Sequence, residues 1–186
     1  MPIVALSWDL AVVVFFAVLM SLGFIIGKNQ TMKVIIAAYI AVIATQGIGN
    51  VLLRLSIRGS GILSTVGIPI DPTLLSLGKI FIFALCVIIF VIKSGIDISH
   101  KKEAGSLLTI TYTGLLGFSL AGLIASTILS YAAGNDVLTS GFLSTVSIGP
   151  LLRQSTLAQL LILNQDLWYA LPAFLIVTMG FIRNSE

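Results

Sequence analysis

The sequence is poor in the residues that soluble enzymes use. Charged residues make up only 9% of its 186 positions, against about 25% in an ordinary soluble domain. A water-soluble fold of this length could not hide the apolar surplus that remains. There is one histidine, His100, in a basic loop, and one cysteine, Cys86, in an apolar run. So placed, they make neither a metal-ligand set nor a nucleophile–base pair. A lone cysteine forms no internal disulfide, and Cys86 reads as a small buried hydrophobe. The seven acidic residues form no pair inside an apolar run. No phosphate-binding loop and no glycine-rich dinucleotide motif is present. The basic residues are scattered rather than gathered in a stripe with aromatics, which excludes a nucleic-acid surface. These absences lead us to expect a protein that is not an enzyme and uses no cofactor or metal.

What is there is apolar. Hydrophobic residues make up 58% of the chain and the mean hydropathy is +1.12. The expected fold is an all-α integral membrane protein, with residues 1–186 forming one membrane domain. A spanning helix needs roughly 20 mainly apolar residues. Residues 6–26 provide the first, with Trp8 at its edge, where aromatic rings favour the interface. No Lys or Arg precedes Lys28, so this run reads as a retained span rather than a signal peptide. Residues 34–53, 74–92 and 107–133 give three more. The fifth, 168–182, is short, contains Pro172 and is expected to begin near Leu157, which would put Trp168 and Tyr169 inside it. Without it the count is four. The stretch from Gln154 to Asp166 also reads as an interfacial helix, with Leu157, Leu160, Leu161 and Leu167 near one face.

The connections are of two kinds. Two are polar and basic, carrying Lys28 and Lys33, then Lys93, His100, Lys101 and Lys102. Two are longer, apolar and rich in Gly, Ser and Pro: residues 54–73 and 134–156. Backbone of that kind suits segments at the interface or dipping into protein interior. If the basic connections are cytoplasmic, Arg183 joins them, and Arg54, Arg58, Lys79 and Arg153 fall outside. The Lys/Arg bias then predicts the N-terminus outside and the C-terminus in the cytoplasm.

The two apolar loops resemble each other. SGILSTVGI from Ser60 and SGFLSTVSI from Ser140 differ at only two positions, and Pro69 and Pro150 follow. The same offset sets Ala37, Ala41 and Thr45 on Gly117, Ala121 and Ala125. Small residues every fourth position form a ridge that lets membrane helices approach closely. The expected architecture is therefore a first helix followed by two parallel-repeat hairpins, residues 34–92 and 107–182. Ser60, Ser64, Thr65, Ser140, Ser144 and Thr145 make a candidate loop site, set against the plainer reading that the loops cap the bundle. Thr65-Val66-Gly67 is not a potassium filter, because Ser147 replaces the glycine in the second copy and the tyrosine is missing.

Polar groups at membrane depth come last. Asp9 opens the first helix, where the helix dipole and interfacial water would hold it; a proton relay is the sharper alternative. Gln46 and Asn50, one turn apart, are expected to bond across to another helix. Lys79 is expected to snorkel.

Trp8-Asp9 at the opening of the first span, Gly23-Phe24 before the basic turn of Lys28 and Lys33, and the spacing of Gly105, Gly114 and Gly117 resemble the colicin V production protein family of small bacterial inner-membrane proteins. The resemblance covers about half the chain. The sequence departs from that pattern in lacking arginines at the two places where the family pattern leads one to expect Gly-Arg-Gly-like character, and in its fifth span. The resemblance implies a helical bundle of the bacterial inner membrane with an accessory role in secretion or envelope upkeep, and carries over no residue roles. Together these readings predict a non-enzymatic accessory protein that packs with itself or with other membrane subunits in the lipid bilayer. The alternative is a small channel or transporter using the paired loops.

Overall fold

The computed structural model describes residues 8–58, 72–93, 106–134 and 155–183. Among them every regular element is a helix: α1 (Trp8–Arg58), α2 (Pro72–Lys93), α3 (Ser106–Ala132), α4 (Thr156–Leu163) and α5 (Gln165–Arg183). The loop residues Ser60, Ser64, Thr65, Ser140, Ser144 and Thr145, and His100 with its basic neighbours, lie outside the described residues.

Helix α1 counts 51 residues, but Gly27 inside it has φ 76° and ψ 169°, which is not helical. Only glycine takes such angles without steric cost. In a straight helix Thr31 and Gly23 would stand about 12 Å apart; here the Thr31 hydroxyl lies 3.0 Å from the Gly23 carbonyl and 2.8 Å from that of Gly27. The chain has therefore turned back on itself, and α1 is two arms.

Both arms pack on α3, in opposite directions. Along the first arm, Val12 packs on the cluster of Ala125, Leu161 and Trp168. Phe16 meets the Phe118 ring edge-on, and Gly23 meets Gly117. Along the second arm, Met32, Ile35 and Ala38 cluster with Leu116, Leu120 and Leu123, and Ala41 and Val42 with Tyr131. The second arm thus runs parallel to α3 and the first antiparallel. Helix α2 returns antiparallel to the second arm, with Phe83 beside Ala41 and Val42 and Lys79 beside Gly49. The Gly27 turn, Lys93, the start of α3 and the end of α5 share one end of the bundle.

Among the described residues, three helices are long and apolar enough to cross a membrane: Trp8–Val51, Leu75–Lys93 and Ile110–Ala132. A fourth candidate is α4 with α5, which meet at 61°. Trp168 and Tyr169 lie inside α5, as the sequence predicts, but the break comes at Asn164 and not at Pro172, which sits within the helix. Asn164 caps α4, its backbone N–H reaching the Leu160 and Ile162 carbonyls, and its side chain bonds the Leu160 carbonyl as well. Satisfying those last carbonyls locally is what ends a helix.

Candidate functional site

Both small-residue ridges are spent on internal packing. Ala37, Ala41 and Thr45 on the second arm are buried, as are Ala121 and Ala125 on α3, and Gly117 with them. Gly117 also serves the first arm, on which Gly23 comes so close that a Cβ there would stand 2.6 Å from Gly117 Cα. These residues hold the bundle together and present no ridge to an outside partner.

Trp168 fills the space above a third glycine. A Cβ on Gly122 would fall 1.9 Å from Trp168 Cε3, so the indole lies against bare backbone. Phe16 and Phe118 complete an aromatic triad, with ring centroids 5.4 to 6.0 Å apart, within the range where tilted aromatic pairs attract.

Asp9 is not simply a helix-opening acid. Its carboxylate accepts from the Ser155 hydroxyl at 2.6 Å and from the Leu157 N–H at 3.2 Å. Ser155 is the N-cap of α4, and its oxygen accepts from the Ala158 N–H at 3.0 Å. The carboxylate of the first helix thus satisfies orphan donors at the start of another, where the helix dipole favours negative charge. The sequence signal for this latch is Ser155-Thr156 ahead of an apolar run, an N-cap pattern.

A polar seam crosses the interior between the second arm, α3 and α5. Thr127 donates to the Leu123 carbonyl at 2.7 Å. A threonine hydroxyl has one proton, so Tyr169 is the donor in the Thr127–Tyr169 contact. Tyr39 in turn donates to the Tyr169 carbonyl, and Ser130 to Gln165 Oε1 at 2.7 Å. Gln46 and Thr45, next to this seam in sequence register, do not bond across to another of the described helices: Gln46 Nε2 and Oε1 and Thr45 Oγ1 are buried and make no hydrogen bond among the described residues. Thr31 and Thr127 bond back to the carbonyl four residues earlier; Thr45 does not. Asn50 is exposed, one turn further on.

Lys79 departs from expectation. Rather than extending outward, it is 7% exposed and lays its stem on Gly49, whose Cβ would meet Lys79 Cε at 3.0 Å. The missing side chain at residue 49 makes the room. Cys86 is half-buried among apolar groups. Lys28 stands 6.0 Å from the centre of the Tyr112 ring, a cation–π distance. Among the described residues no three His, Cys, Asp or Glu side chains are grouped to hold a metal ion.

An apolar groove opens beside the latch. It lies between the first arm and the bent α4–α5 pair, and every lining residue is apolar. The leucine face expected on the Gln154–Asp166 stretch splits here: Leu161 is buried, while Leu157, Leu160 and Leu167 are exposed.

No family model, no curated protein and no solved structure matches this chain.

Proposed function

We propose that this chain is a five-span integral protein of the bacterial inner membrane, working as a non-enzymatic accessory subunit that docks on other membrane subunits or on a second copy of itself. One contrast supports this reading. Burial reaches 72% over the most apolar stretch of Ile110–Ala132, but only 6% for Trp8–Val51 and 11% for Leu75–Lys93. A finished bundle thus surrounds α3 and leaves the first arm and α2 apolar and open on their outer faces. Phe81 and Ile92 on α2 and Ile25 on the first arm are the most exposed of these side chains. Lipid or the apolar face of another subunit suits them; water does not. Counting each arm of α1, α2, α3 and the bent α4–α5 pair as one crossing gives five spans. The secretion or envelope role implied by the colicin V production protein resemblance belongs to this proposal, as does the parallel repeat, which the parallel course of the second arm and α3 favours.

The test is gentle extraction at natural abundance, then native electrophoresis with mass spectrometry of each band. Migration in an assembly with other subunits, or as a stable homo-oligomer, is expected. Migration as a lone monomer would count against the accessory reading.

The second reading, a small channel or transporter, is favoured by the unbonded Thr45 and Gln46 groups beside the polar seam. Buried polar groups without partners are expensive, and at membrane depth they mark solute pathways. Under this reading, solute flux into liposomes falls when Gln46→Leu and Thr45→Val are combined. It also falls when the Ser64, Thr65, Ser144 and Thr145 hydroxyls are removed.

A further inference from the structure

The interior of the bundle changes character at one level. Ala41 and Val42 on the second arm, Phe83 on α2 and Tyr131 on α3 form a buried cluster, and Tyr169 of α5 packs against it. One helical turn away, toward the end where Lys79 meets Gly49, the side chains turn polar. The second arm offers Thr45 and Gln46, four residues on from Ala41 and Val42. Helix α2 offers Lys79 and α5 offers Gln165, four residues before Phe83 and Tyr169. Residues four apart stand on one face of a helix. Helix α2 runs antiparallel to the second arm, and so does α5, whose Met179 clusters with Met32 and Ile35 at the opposite end. The four side chains therefore fall in one layer. Ser130 ties α3 into it by donating to Gln165 Oε1 at 2.7 Å.

Two members of this layer are unmet. Thr45 is fully buried and Gln46 is 5% exposed. Among the described residues, the Thr45 hydroxyl and both polar atoms of the Gln46 amide make no hydrogen bond. Leaving such groups bare is costly, and their chemistry selects what meets them. The Gln46 amide presents two N–H donors and a carbonyl acceptor, and the Thr45 hydroxyl both donates and accepts. An anion would leave the Gln46 carbonyl unmet, and a cation would leave its N–H groups unmet. A hydrocarbon chain would satisfy none of them. An uncharged molecule that itself donates and accepts satisfies both ends of the amide. Water is the smallest such molecule, and buried waters take about three hydrogen bonds to groups that otherwise have none. We propose that Thr45 and Gln46 hold a bound water molecule, and that the polar layer admits small uncharged hydrogen-bonding solutes and rejects ions; the second half rests on the channel reading, and the first stands without it.

The experiment reads the Gln46 side-chain amide by nuclear magnetic resonance, on the full chain in lipid nanodiscs. A bound water gives a dipolar cross-peak between the water line and the Gln46 N–H protons, told from proton exchange by its sign in the rotating frame. The peak is absent in Gln46→Leu, which assigns it, and persists in Thr45→Val. A Gln46 amide with no such peak overturns the water site. Loss of the peak in Thr45→Val overturns it as well, since the signal then came from the threonine hydroxyl. Glycerol, potassium and chloride entry are then compared in liposomes with and without the protein. Glycerol entry several-fold above protein-free vesicles, with neither ion crossing, is the expected result. Passage of either ion overturns the uncharged solute class. Passage of none of the three, with the Gln46 peak present, leaves the bound water standing and overturns the channel reading together with its solute class.

Discussion

Gly23 and Gly117 bring two helices together backbone to backbone, with Gly117 Cα only 2.6 Å from where a Cβ on Gly23 would stand. Gly23→Ala forces the first arm off α3. The expected cost is about 1–3 kcal/mol, the range for overpacked interiors, read as reduced resistance to unfolding in detergent. Gly47→Ala is the control: a Cβ there meets nothing within 4 Å, and helix propensity favours alanine by up to about 1 kcal/mol.

Gly122 and Trp168 form a second such pair. Gly122→Ala drives the indole out of its seat, so its emission moves toward the spectrum of an exposed tryptophan and stability falls. Adding Trp168→Leu to Gly122→Ala costs less than the sum of the two single changes, because they share one contact. Strict additivity would show that the indole does not sit on Gly122.

The latch predicts a local effect. Ser155→Ala removes the cap of α4 and one bond to Asp9, at a cost of about 1 kcal/mol. Hydrogen exchange speeds up at Leu157 and Ala158, whose N–H groups the latch holds, and stays unchanged in the middle of α3. Asp9→Ala accelerates exchange at Leu157 while the Ser155 cap keeps Ala158 protected.

Tyr169→Phe breaks the link from α5 to Thr127. The expected loss is about 0.5–1.5 kcal/mol. In the Thr127→Val background the same change costs less, since the partner hydroxyl has gone.

The direction of packing predicts a topology. In a Cys86→Ser background, cysteines introduced by Lys28→Cys and Lys93→Cys react with an impermeant thiol reagent from one side of the membrane, and that from Arg54→Cys reacts from the other. Labelling at Lys28→Cys and Arg54→Cys from the same side would contradict the five-span arrangement.

Much of the bundle was legible in the sequence because hydropathy alone marks an apolar helix. Ala37, Ala41, Thr45, Gly117, Ala121 and Ala125 were found by their spacing, and they are buried where the helices meet. Spacing could not say that the helices they join belong to this same chain. Asp9 was read as serving its own helix, because its partner Ser155 is remote in sequence and a contact across the fold leaves no local pattern. The break at Asn164 leaves no hydropathy signal, because it rests on local bonds to the Leu160 and Ile162 carbonyls, while Pro172 lies within α5. Lys79 was expected to reach outward; the room Gly49 leaves for its stem depends on the pairing of two helices, which hydropathy does not encode.

The turn at Gly27 reaches beyond its own neighbourhood. Unturned, Trp8–Val51 with its 44 residues would be a rod about 66 Å long, more than twice the roughly 30 Å thickness of a bilayer's hydrocarbon. Turned, it makes two crossings under the five-span proposal. Each later helix counts its side of the membrane from that number, so one left-handed residue sets the parity of the whole chain. A bulky residue at position 27 that kept α1 straight would do more than strain a turn: in the proposed five-span arrangement it would send Lys93 and Arg183 to the opposite compartment.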